Sequence, residues 1–405
     1  MYPLLWRGNN HQRQEWTWGK FVSSDLAIVM SGGGARAAYQ VGFLRFLAKS
    51  YPNLSIDIIT GVSAGAVNAA FLACSPGNLE DRAQNLFTLW SQLRINDVFN
   101  VGTTDLTKRV LYWGFRLLSG GSKGKSLTAQ GLVETDPLRQ LLTSALNAKD
   151  GVLTGIDKNL KEGNLKAVAL TASSYTTGQS TTWVQGREIK LWERAQRKSI
   201  NCPLKVEHIM ASAALPLFFP AVQVNKAWFG DGGIRLTAPL SPAVHLGADR
   251  ILAISTRYPK RREEADLPAV DGYPPPAQVA GSLLNAIFLD QFDGDALRLE
   301  RINQLISNLP EEQRGGLRPI ELLVLRPSQD LGKLANKFET ALPHAFRFLT
   351  RGLGTRETRS NDLLSLVMFQ SDYLNYLLAL GESDAHARKD EIAALLQLPV
   401  EHNIS

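Results

Sequence analysis

The sequence predicts an α/β protein with a mostly parallel central sheet covered by helices, followed by a mostly helical C-terminal third. The apolar run at residues 26–30 stops abruptly at glycines and precedes an amphipathic segment, which is typical of a buried parallel strand that leads into a helix. A second apolar run at 56–60 repeats this order, so residues 26–73 contain a βαβα unit. In the last third, the apolar spacing is mostly that of helices.

The composition is that of an ordinary globular protein. The chain has 405 residues, 44% of them hydrophobic, which is too apolar for intrinsic disorder and long enough for two or three units at about 100–200 residues per domain. The formal net charge of +6 is too dilute over this length to predict nucleic-acid binding. The two cysteines, Cys74 and Cys202, are too few for a disulfide scaffold or a cysteine-rich zinc module, and they indicate a reducing compartment.

The first 24 residues are polar and lack a clean periodicity, so we predict an N-terminal extension over 1–24. Polar and charged residues follow Leu4 and Leu5 at once, and no apolar core of a secretory signal forms. No stretch approaches the roughly 18 consecutive apolar residues of a spanning helix. These features predict a cytoplasmic protein.

The helix of the first unit is predicted over 35–49, because its apolar residues recur at helical spacing on one face. Pro52 and Asn53 close this segment, and the small apolar run 66–73 predicts the second helix. Further strands are predicted where short apolar or β-branched runs end at turn residues, at 165–172, 181–184, 222–224, 227–229, 250–255 and 322–325.

The C-terminal helices are predicted at 295–307, 363–380 and 391–398. Before them, residues 258–276 become charged and then proline-rich, which is typical of a surface connection. This connection predicts a boundary between a domain over 25–257 and a mostly helical region over 258–405 that packs on it.

A glycine-flanked serine follows the second predicted strand. Residues 61–65 read G-V-S-A-G; at such a turn the serine sits in strained backbone, and Gly61 and Gly65 allow a close approach. The hydroxyl would stand clear of the sheet at a helix N-terminus, which favours developing negative charge. The pattern also occurs in ordinary loops, but its place between strand and helix makes Ser63 a candidate nucleophile.

Three consecutive glycines, Gly32, Gly33 and Gly34, lie between the first predicted strand and helix. Consecutive glycines leave backbone N–H groups uncovered and free to point at one oxygen, as an oxyanion hole requires. The alternative is a dinucleotide-binding loop, because residues 32–37 nearly match G-x-G-x-x-G/A. That fold needs an acid at the end of the second strand, whereas Asp57 lies near its start, which disfavours the nucleotide interpretation.

A third glycine turn, Gly230–Gly233, contains Asp231 and by itself would predict only a hairpin turn. A serine nucleophile needs a base, and none of the six histidines lies at a strand end between glycines. Asp231 is therefore the candidate base, in direct contact with the serine. A Ser–Asp–His triad of the α/β-hydrolase type is the alternative, since the chain order permits His245 or His344 as its third member.

Four motifs occur in the order seen in patatin-like phospholipases: the glycine run with Arg36, the turn Gly61–Gly65, the segment 211–216 that leads to Phe219 and Pro220, and Asp231–Gly233. The chain resembles this family over roughly residues 25–257, and it looks most like bacterial members, whose C-terminal extension is similar to 288–305 and 363–381. Ala37 stands where the family usually has glycine, which is the smallest change in side chain.

The resemblance implies a three-layer α/β/α fold and a Ser–Asp dyad without a catalytic histidine. The implied site residues are the nucleophile Ser63 and the base Asp231, Gly61 and Gly65 beside the serine, Gly232 and Gly233 after the aspartate, and Gly32, Gly33, Gly34 and Arg36 around the oxyanion. The implied activity is hydrolysis of lipid acyl esters, of phospholipase A or lysophospholipase type, with no metal or organic cofactor. A lipid-binding or signalling protein with a regulated or vestigial site is the alternative from another class.

One stretch predicts contact with a membrane surface. Between Lys108 and Lys125, basic residues alternate with large aromatic residues, and no acid occurs between Asp105 and Glu134. Rings at headgroup depth and cations near anionic lipid suit a membrane interface. A charged loop over the core is the more ordinary interpretation of such a stretch, and membrane contact is the alternative to it. The expected location is therefore the cytoplasm, with peripheral contact at the inner face of the membrane.

Overall fold

The computed structural model describes residues 25–100, 131–352 and 354–397. The predicted N-terminal extension 1–24 and the Lys108–Lys125 stretch lie outside the described residues. Within the described ranges, no helix is both long enough and apolar enough to cross a membrane.

The described residues form a ten-stranded sheet. Its strands are β1 (Leu26–Met30), β2 (Ile58–Val62), β3 (Ala167–Ser174), β4 (Ser180–Gly186), β5 (Glu193–Arg194), β6 (Arg197–Asn201), β7 (Val222–Val224), β8 (Ala227–Asp231), β9 (Arg250–Ile254) and β10 (Glu321–Leu325). The order across the sheet is β10-β9-β1-β2-β3-β4-β6-β5, and the hairpin β7–β8 joins it through β8 and β3. The strands from β10 to β3 are parallel, as the sequence predicts, whereas β4 and β8 are antiparallel to β3.

Helices surround this sheet throughout the described residues. They are α1 (Ala38–Ser50), α2 (Ala64–Cys74), α3 (Leu79–Gln92), α4 (Ile95–Val98), α5 (Asp136–Ala145), α6 (Thr154–Glu162), α7 (Val206–Ser212), α8 (Ser241–His245), α9 (Arg262–Ala265), α10 (Pro276–Phe288), α11 (Asp290–Ser307), α12 (Leu331–Phe338), α13 (His344–Gly352), α14 (Asp362–Val367), α15 (Ser371–Ala387) and α16 (Lys389–Leu395). Two short 3₁₀ turns, Gly34–Ala37 and Gly232–Ile234, lie at the glycine-rich motifs.

Both faces of the sheet are covered, which confirms the three-layer α/β/α arrangement. Successive side chains of a strand point to opposite faces, and in β1 Leu26 and Ile28 belong to the larger apolar core while Ala27 and Val29 belong to the smaller one. The larger core includes residues of α1, α2, α3 and α15. The smaller core includes residues of α8 and α11.

The region after residue 257 extends the same sheet and the same core. β10 pairs in parallel with β9 along its whole length. α15 packs on α1 at very short range, since a Cβ at Gly42 would overlap the backbone of Leu378 and one at Gly381 would overlap that of Tyr39. The C-terminal helices therefore pack on the α/β part, and the same region also supplies one strand of the sheet.

Most predicted elements are present with shifted ends, but the single helix predicted over 363–380 is wrong. α14 ends at Val367 and α15 begins at Ser371. Residues 368–370 leave the helix and place Phe369 in the wall of an apolar pocket, so tertiary packing overrides the helical spacing. The sequence reasoning also missed the β5–β6 pair and the helices α3, α4, α5, α6, α9, α10, α12 and α13.

Candidate active site

Ser63 occupies a sharp turn between β2 and α2. Its backbone has φ 56° and ψ −131°, a left-handed conformation that is uncommon for a residue with a side chain. A Cβ at Gly65 would lie 2.5 Å from the carbonyl oxygens of Met30 and Ser31. A Cβ at Gly61 would overlap the carbonyl of Gly65. The two flanking glycines are therefore required for the turn to form.

Ser212, a buried residue at the end of α7, holds this strained backbone in place. The N–H of Ser63 donates to the Oγ of Ser212 at 3.0 Å. The Ser212 hydroxyl in turn donates to the carbonyl of Thr171 at 2.6 Å. One side chain thus ties the serine turn to β3.

The register of β3 brings Ser63 and Asp231 together. β2 pairs with β3 up to Val62 opposite Thr171, and β8 pairs with β3 from Asp231 opposite Ala172. Because β4 occupies the other edge of β3, β2 and β8 lie end to end along the same edge. Ser63, the residue after Val62, and Asp231 are therefore neighbours at the point where the two strands meet.

Asp231 is a buried carboxyl group with one unpaired oxygen. Its Oδ1 accepts a hydrogen bond from the N–H of Gly233 at 2.9 Å, while its buried Oδ2 has no hydrogen-bond partner among the described residues. Burial raises the pKa of Asp231 to about 7, and the Ser63 hydroxyl and the Gly233 N–H act against this rise. The hydroxyl is thus near enough to interact with the carboxyl, which can accept a proton at neutral pH.

The glycine loop borders Ser63 on its other side. A Cβ at Gly32 would lie 3.0 Å from the Cβ of Ser63. Gly33 and Gly34 have φ angles of 146° and 54° and line the same pocket as Ser63. In the described part of the chain, neither of these two backbone N–H groups donates a hydrogen bond. Both are free to bind an oxyanion that forms beside the serine.

Two buried side chains set the orientation of this loop. Thr256 Oγ1 donates to the carbonyl of Gly32 at 2.8 Å. Because a trans peptide points its C=O and its N–H in opposite directions, this bond turns the N–H of Gly33 away from Thr256. Gln40 Nε2 donates to the preceding carbonyl, that of Ser31, at 2.7 Å. The peptide planes around the glycines are therefore fixed before any substrate binds.

Arg36 points from the glycine loop to the C-terminal region. Its Nε donates to Ser365 Oγ at 2.7 Å, and its Nη2 donates to Asp362 Oδ1 at 2.6 Å. Leu366 of the same helix, α14, lies against Gly34, where any Cβ would overlap its carbonyl. These contacts favour a bracing role for the buried guanidinium over direct contact with the oxyanion.

An apolar pocket extends from Ser63. Apart from this serine, its lining consists of glycines and apolar side chains from α2, α3, α4, α5, α10 and the segments 213–219 and 366–369. The indole N–H of Trp90 donates to Asn68 at 2.8 Å, so that wall residue offers no polar atom to the pocket. Such a lining suits an acyl chain.

The triad alternative needs a histidine beside Asp231. His245 instead stacks on Trp192 at a ring distance of 4.7 Å, in the smaller core on the opposite face of the sheet from the pocket. Burial, together with nearby arginine charges, lowers the pKa of His245 to about 4. The side chain of His344 lies outside the described part of the structure. The described residues therefore favour the dyad.

Sequence reasoning missed three residues that shape this site. Ser212 belongs to a segment that the family resemblance includes, but its hydroxyl has no local signal. Thr256 follows β9 and resembles any residue that ends a strand. Phe288 belongs to the C-terminal extension, yet its ring packs over Gly233 and lines the pocket.

The strained serine turn, the buried carboxyl and the apolar pocket together form the candidate active site of this α/β protein. Residues 28–244 match the family model described as patatin-like phospholipase. Because this match covers more than half of the 405 residues, the chain belongs to the patatin-like phospholipase family. The resemblance predicted from the motifs is confirmed.

Solved structures with similarity to this chain share little of its sequence. VipD from Legionella pneumophila is 13% identical, with a TM-score of 0.33 over 88% of this chain and 67% of that chain. Human GIVD cytosolic phospholipase A2 is 13% identical, with a TM-score of 0.43 over 92% and 58%. The type III effector ExoU from Pseudomonas aeruginosa is 14% identical, with a TM-score of 0.31 over 92% and 63%. The chain spans about two thirds or less of these proteins, and no curated protein matches it in sequence.

Proposed function

We propose that this chain is a serine hydrolase that cleaves the carboxylic esters of lipids, of phospholipase A or lysophospholipase type. The observation that carries the proposal is the meeting of β2 and β8 on β3, which makes Asp231 a neighbour of Ser63, and Ser63 lines an apolar pocket. Family membership supports the same activity. A cytoplasmic location with peripheral contact at the membrane is part of the proposal.

In the first step, Ser63 Oγ attacks the ester carbonyl while Asp231 Oδ2 accepts the hydroxyl proton. A pKa of about 7 suits a base that works at neutral pH. The N–H groups of Gly33 and Gly34 receive the negative charge that develops on the carbonyl oxygen. When the tetrahedral intermediate collapses, the alcohol leaves with the proton from Asp231, and the acyl group remains on Ser63.

In the second step, water attacks the acyl-enzyme, and Asp231 again accepts a proton. Collapse of the second intermediate returns this proton to Ser63 and releases the fatty acid. The acyl chain lies in the apolar pocket throughout both steps. The proposed reaction needs no metal or organic cofactor.

The dyad is tested by two near-isosteric substitutions. Ser63→Ala should abolish fatty-acid release from phospholipid, and a fluorophosphonate should label the wild-type protein at Ser63 alone. Asp231→Asn keeps the shape but cannot accept the proton, so its loss of activity should approach that of Ser63→Ala. The double variant should be little worse than either, because the two residues act as a unit. Circular dichroism and thermal unfolding report whether each variant is folded.

Three outcomes would contradict parts of this proposal. Labelling at Ser31 or Ser212 would exclude Ser63 as nucleophile. A His245→Ala variant as damaged as Asp231→Asn would favour the triad. If the folded wild-type protein released no fatty acid from phospholipid, lysophospholipid or triglyceride, the lipid-binding alternative with a vestigial site would replace the hydrolase.

A further inference from the structure

Leu217 exposes a large apolar side chain between two residues that line the pocket. Its neighbours Leu215 and Phe219 line the pocket, whereas Leu217 itself is 73% exposed. Its φ of 65° is unusual for leucine, because left-handed backbone is strained for a residue with a branched apolar side chain. The fold therefore holds this side chain in solvent on a strained backbone.

α10 presents a second exposed apolar surface. Val279 and Leu283 lie one turn apart on this helix and are 48% and 59% exposed. The last residue of the helix, Phe288, is buried, lines the pocket and packs over Gly233. Leu283 lies about 7 Å from Phe288 along the helix axis. The exposed side chains thus lie on the same helix as this pocket-lining residue, on its solvent side.

The two segments that carry these residues contain no charged residue of their own. Residues 209–225 and 272–289 contain no Asp, Glu, Lys, Arg or His, although 20% of the chain is charged. Exposed apolar side chains on uncharged segments can insert among lipid headgroups and acyl chains at little cost in lost hydration. The two uncharged elements reach the same pocket from different parts of the chain.

We propose that Leu217, Val279 and Leu283 form a surface that docks on a lipid bilayer, here named the lipid-docking surface. The inference rests on the proposed function, because the pocket beside this surface has to receive an acyl chain from the bilayer. The segments that carry these side chains reach a pocket for an acyl chain and offer no charge for a polar partner to pair with, so the occupant is lipid. Attachment by apolar insertion makes binding independent of lipid charge and nearly insensitive to salt.

The test measures binding of the full chain to vesicles by co-sedimentation, in a Ser63→Ala background that leaves the lipid intact. Zwitterionic phosphatidylcholine vesicles should bind the protein at low and at high salt alike. Leu217→Asn preserves the backbone conformation, because asparagine tolerates a left-handed φ. Leu283→Asn replaces a side chain that is mostly exposed and should leave the fold unchanged. Each should weaken vesicle binding about tenfold, which is the effect of removing one buried leucine side chain.

The matched control is Leu305→Asn. Leu305 is 70% exposed on α11, which packs on the smaller core at the opposite face of the sheet, so this variant should bind vesicles like the parent protein. In a background with Ser63 intact, the Leu217 and Leu283 variants should hydrolyse a soluble short-chain ester at the unchanged rate. That rate tests the proposed hydrolase separately from the docking surface.

Four results would overturn the lipid-docking surface. Vesicle binding by the Leu217 and Leu283 variants as strong as the parent's would exclude these side chains. Binding that required anionic lipid and disappeared at high salt would assign docking to basic residues elsewhere. An equal loss in the Leu305 variant would show a general effect of exposed leucines. If the parent protein did not bind vesicles, the surface would not dock on lipid, and a protein partner would be its occupant.

Discussion

At the scale of single residues, function and stability conflict at Asp231. Burial raises the pKa of this carboxyl from 3.8 to about 7, while the unfolded chain ionises near the ordinary value. Between these two pH values the folded state binds the extra proton, so the contribution of Asp231 to stability decreases as the pH rises. Above pH 7 the folded protein holds a buried carboxylate, which costs on the order of 4 kcal/mol.

Asp231→Asn should therefore stabilise the protein at pH 8 while it removes the base. Asparagine still accepts the Gly233 N–H but carries no charge in the buried site. We expect the melting temperature to rise by several degrees at pH 8, and the gain to vanish near pH 4, where the native carboxyl is already neutral. Differential scanning calorimetry at both pH values checks this. An equal gain at both would assign the effect to packing rather than to charge.

Thr256 offers a second prediction at this scale. Thr256→Val removes the hydroxyl that holds the Gly32 carbonyl, so the N–H of Gly33 loses its fixed direction. Turnover should fall about 100-fold, as for the loss of one oxyanion donor, with little change in KM. Thr256→Ser keeps the hydroxyl and should restore most of the turnover. Steady-state kinetics on a neutral ester separates kcat from KM.

A purely structural effect of Thr256 would give a different result. The Val variant also leaves a buried carbonyl without its partner, and this lowers stability by about 1–3 kcal/mol. If the Val and Ser variants lost turnover equally at the same melting temperature, the hydroxyl would not orient the amide. Wild-type turnover in a folded Val variant would also exclude the role.

At the scale of elements, α14 braces the glycine loop through Arg36. The guanidinium reaches both Ser365 and Asp362, which a single ammonium group cannot do in the same geometry. Arg36→Lys should therefore impair turnover of neutral p-nitrophenyl esters as strongly as that of phospholipids. Asp362→Asn removes the charge of the partner and should give the same pattern more weakly.

The comparison of the two substrates decides the role of Arg36. Loss confined to phospholipids would show that the arginine binds the headgroup and does not brace the loop. A Gln84→Ala variant serves as control, because it removes the acceptor of a hydrogen bond from another arginine, Arg45 of α1, and neither residue lines the pocket. That variant should retain turnover on both substrates.

Across the whole molecule, the sequence predicts those parts of the site whose backbone conformation depends on residues adjacent in the chain. Gly61 and Gly65 can be identified from the sequence, because a sharp turn needs a glycine on each side of the serine. The roles of Ser212 and Thr256 cannot be predicted from local sequence. Ser212 forms a hydrogen bond with Ser63, 149 positions away, and Thr256 forms one with Gly32, 224 positions away. Such contacts depend on strand order, which local spacing does not contain.

The same limit explains the errors in the C-terminal region. Local spacing predicts a continuous helix over 363–380, but packing of Phe369 against the pocket interrupts it. The short apolar run at 322–325 predicts a strand. Its sequence does not predict that this strand pairs with β9 and so extends the same sheet. The predicted boundary at residue 257 is therefore a boundary in composition, and the sheet continues across it.

Truncation at residue 257 tests whether this boundary separates two domains. A chain that ends at residue 257 loses β10 from the edge of β9 and α15 from the surface of α1, and it exposes Tyr39 and Phe43, which are fully buried in the complete fold. We expect it to aggregate, or to lack a cooperative thermal transition, because exposed core surface and an unpaired strand favour association.

A chain that ends at residue 397 keeps every described contact and should unfold cooperatively with unchanged activity on a soluble ester. Circular dichroism, size-exclusion chromatography and the ester assay compare the two. If the shorter chain were monomeric, cooperative and active, residues 258–405 would form a separate domain, and the bracing of the glycine loop by α14 would be dispensable.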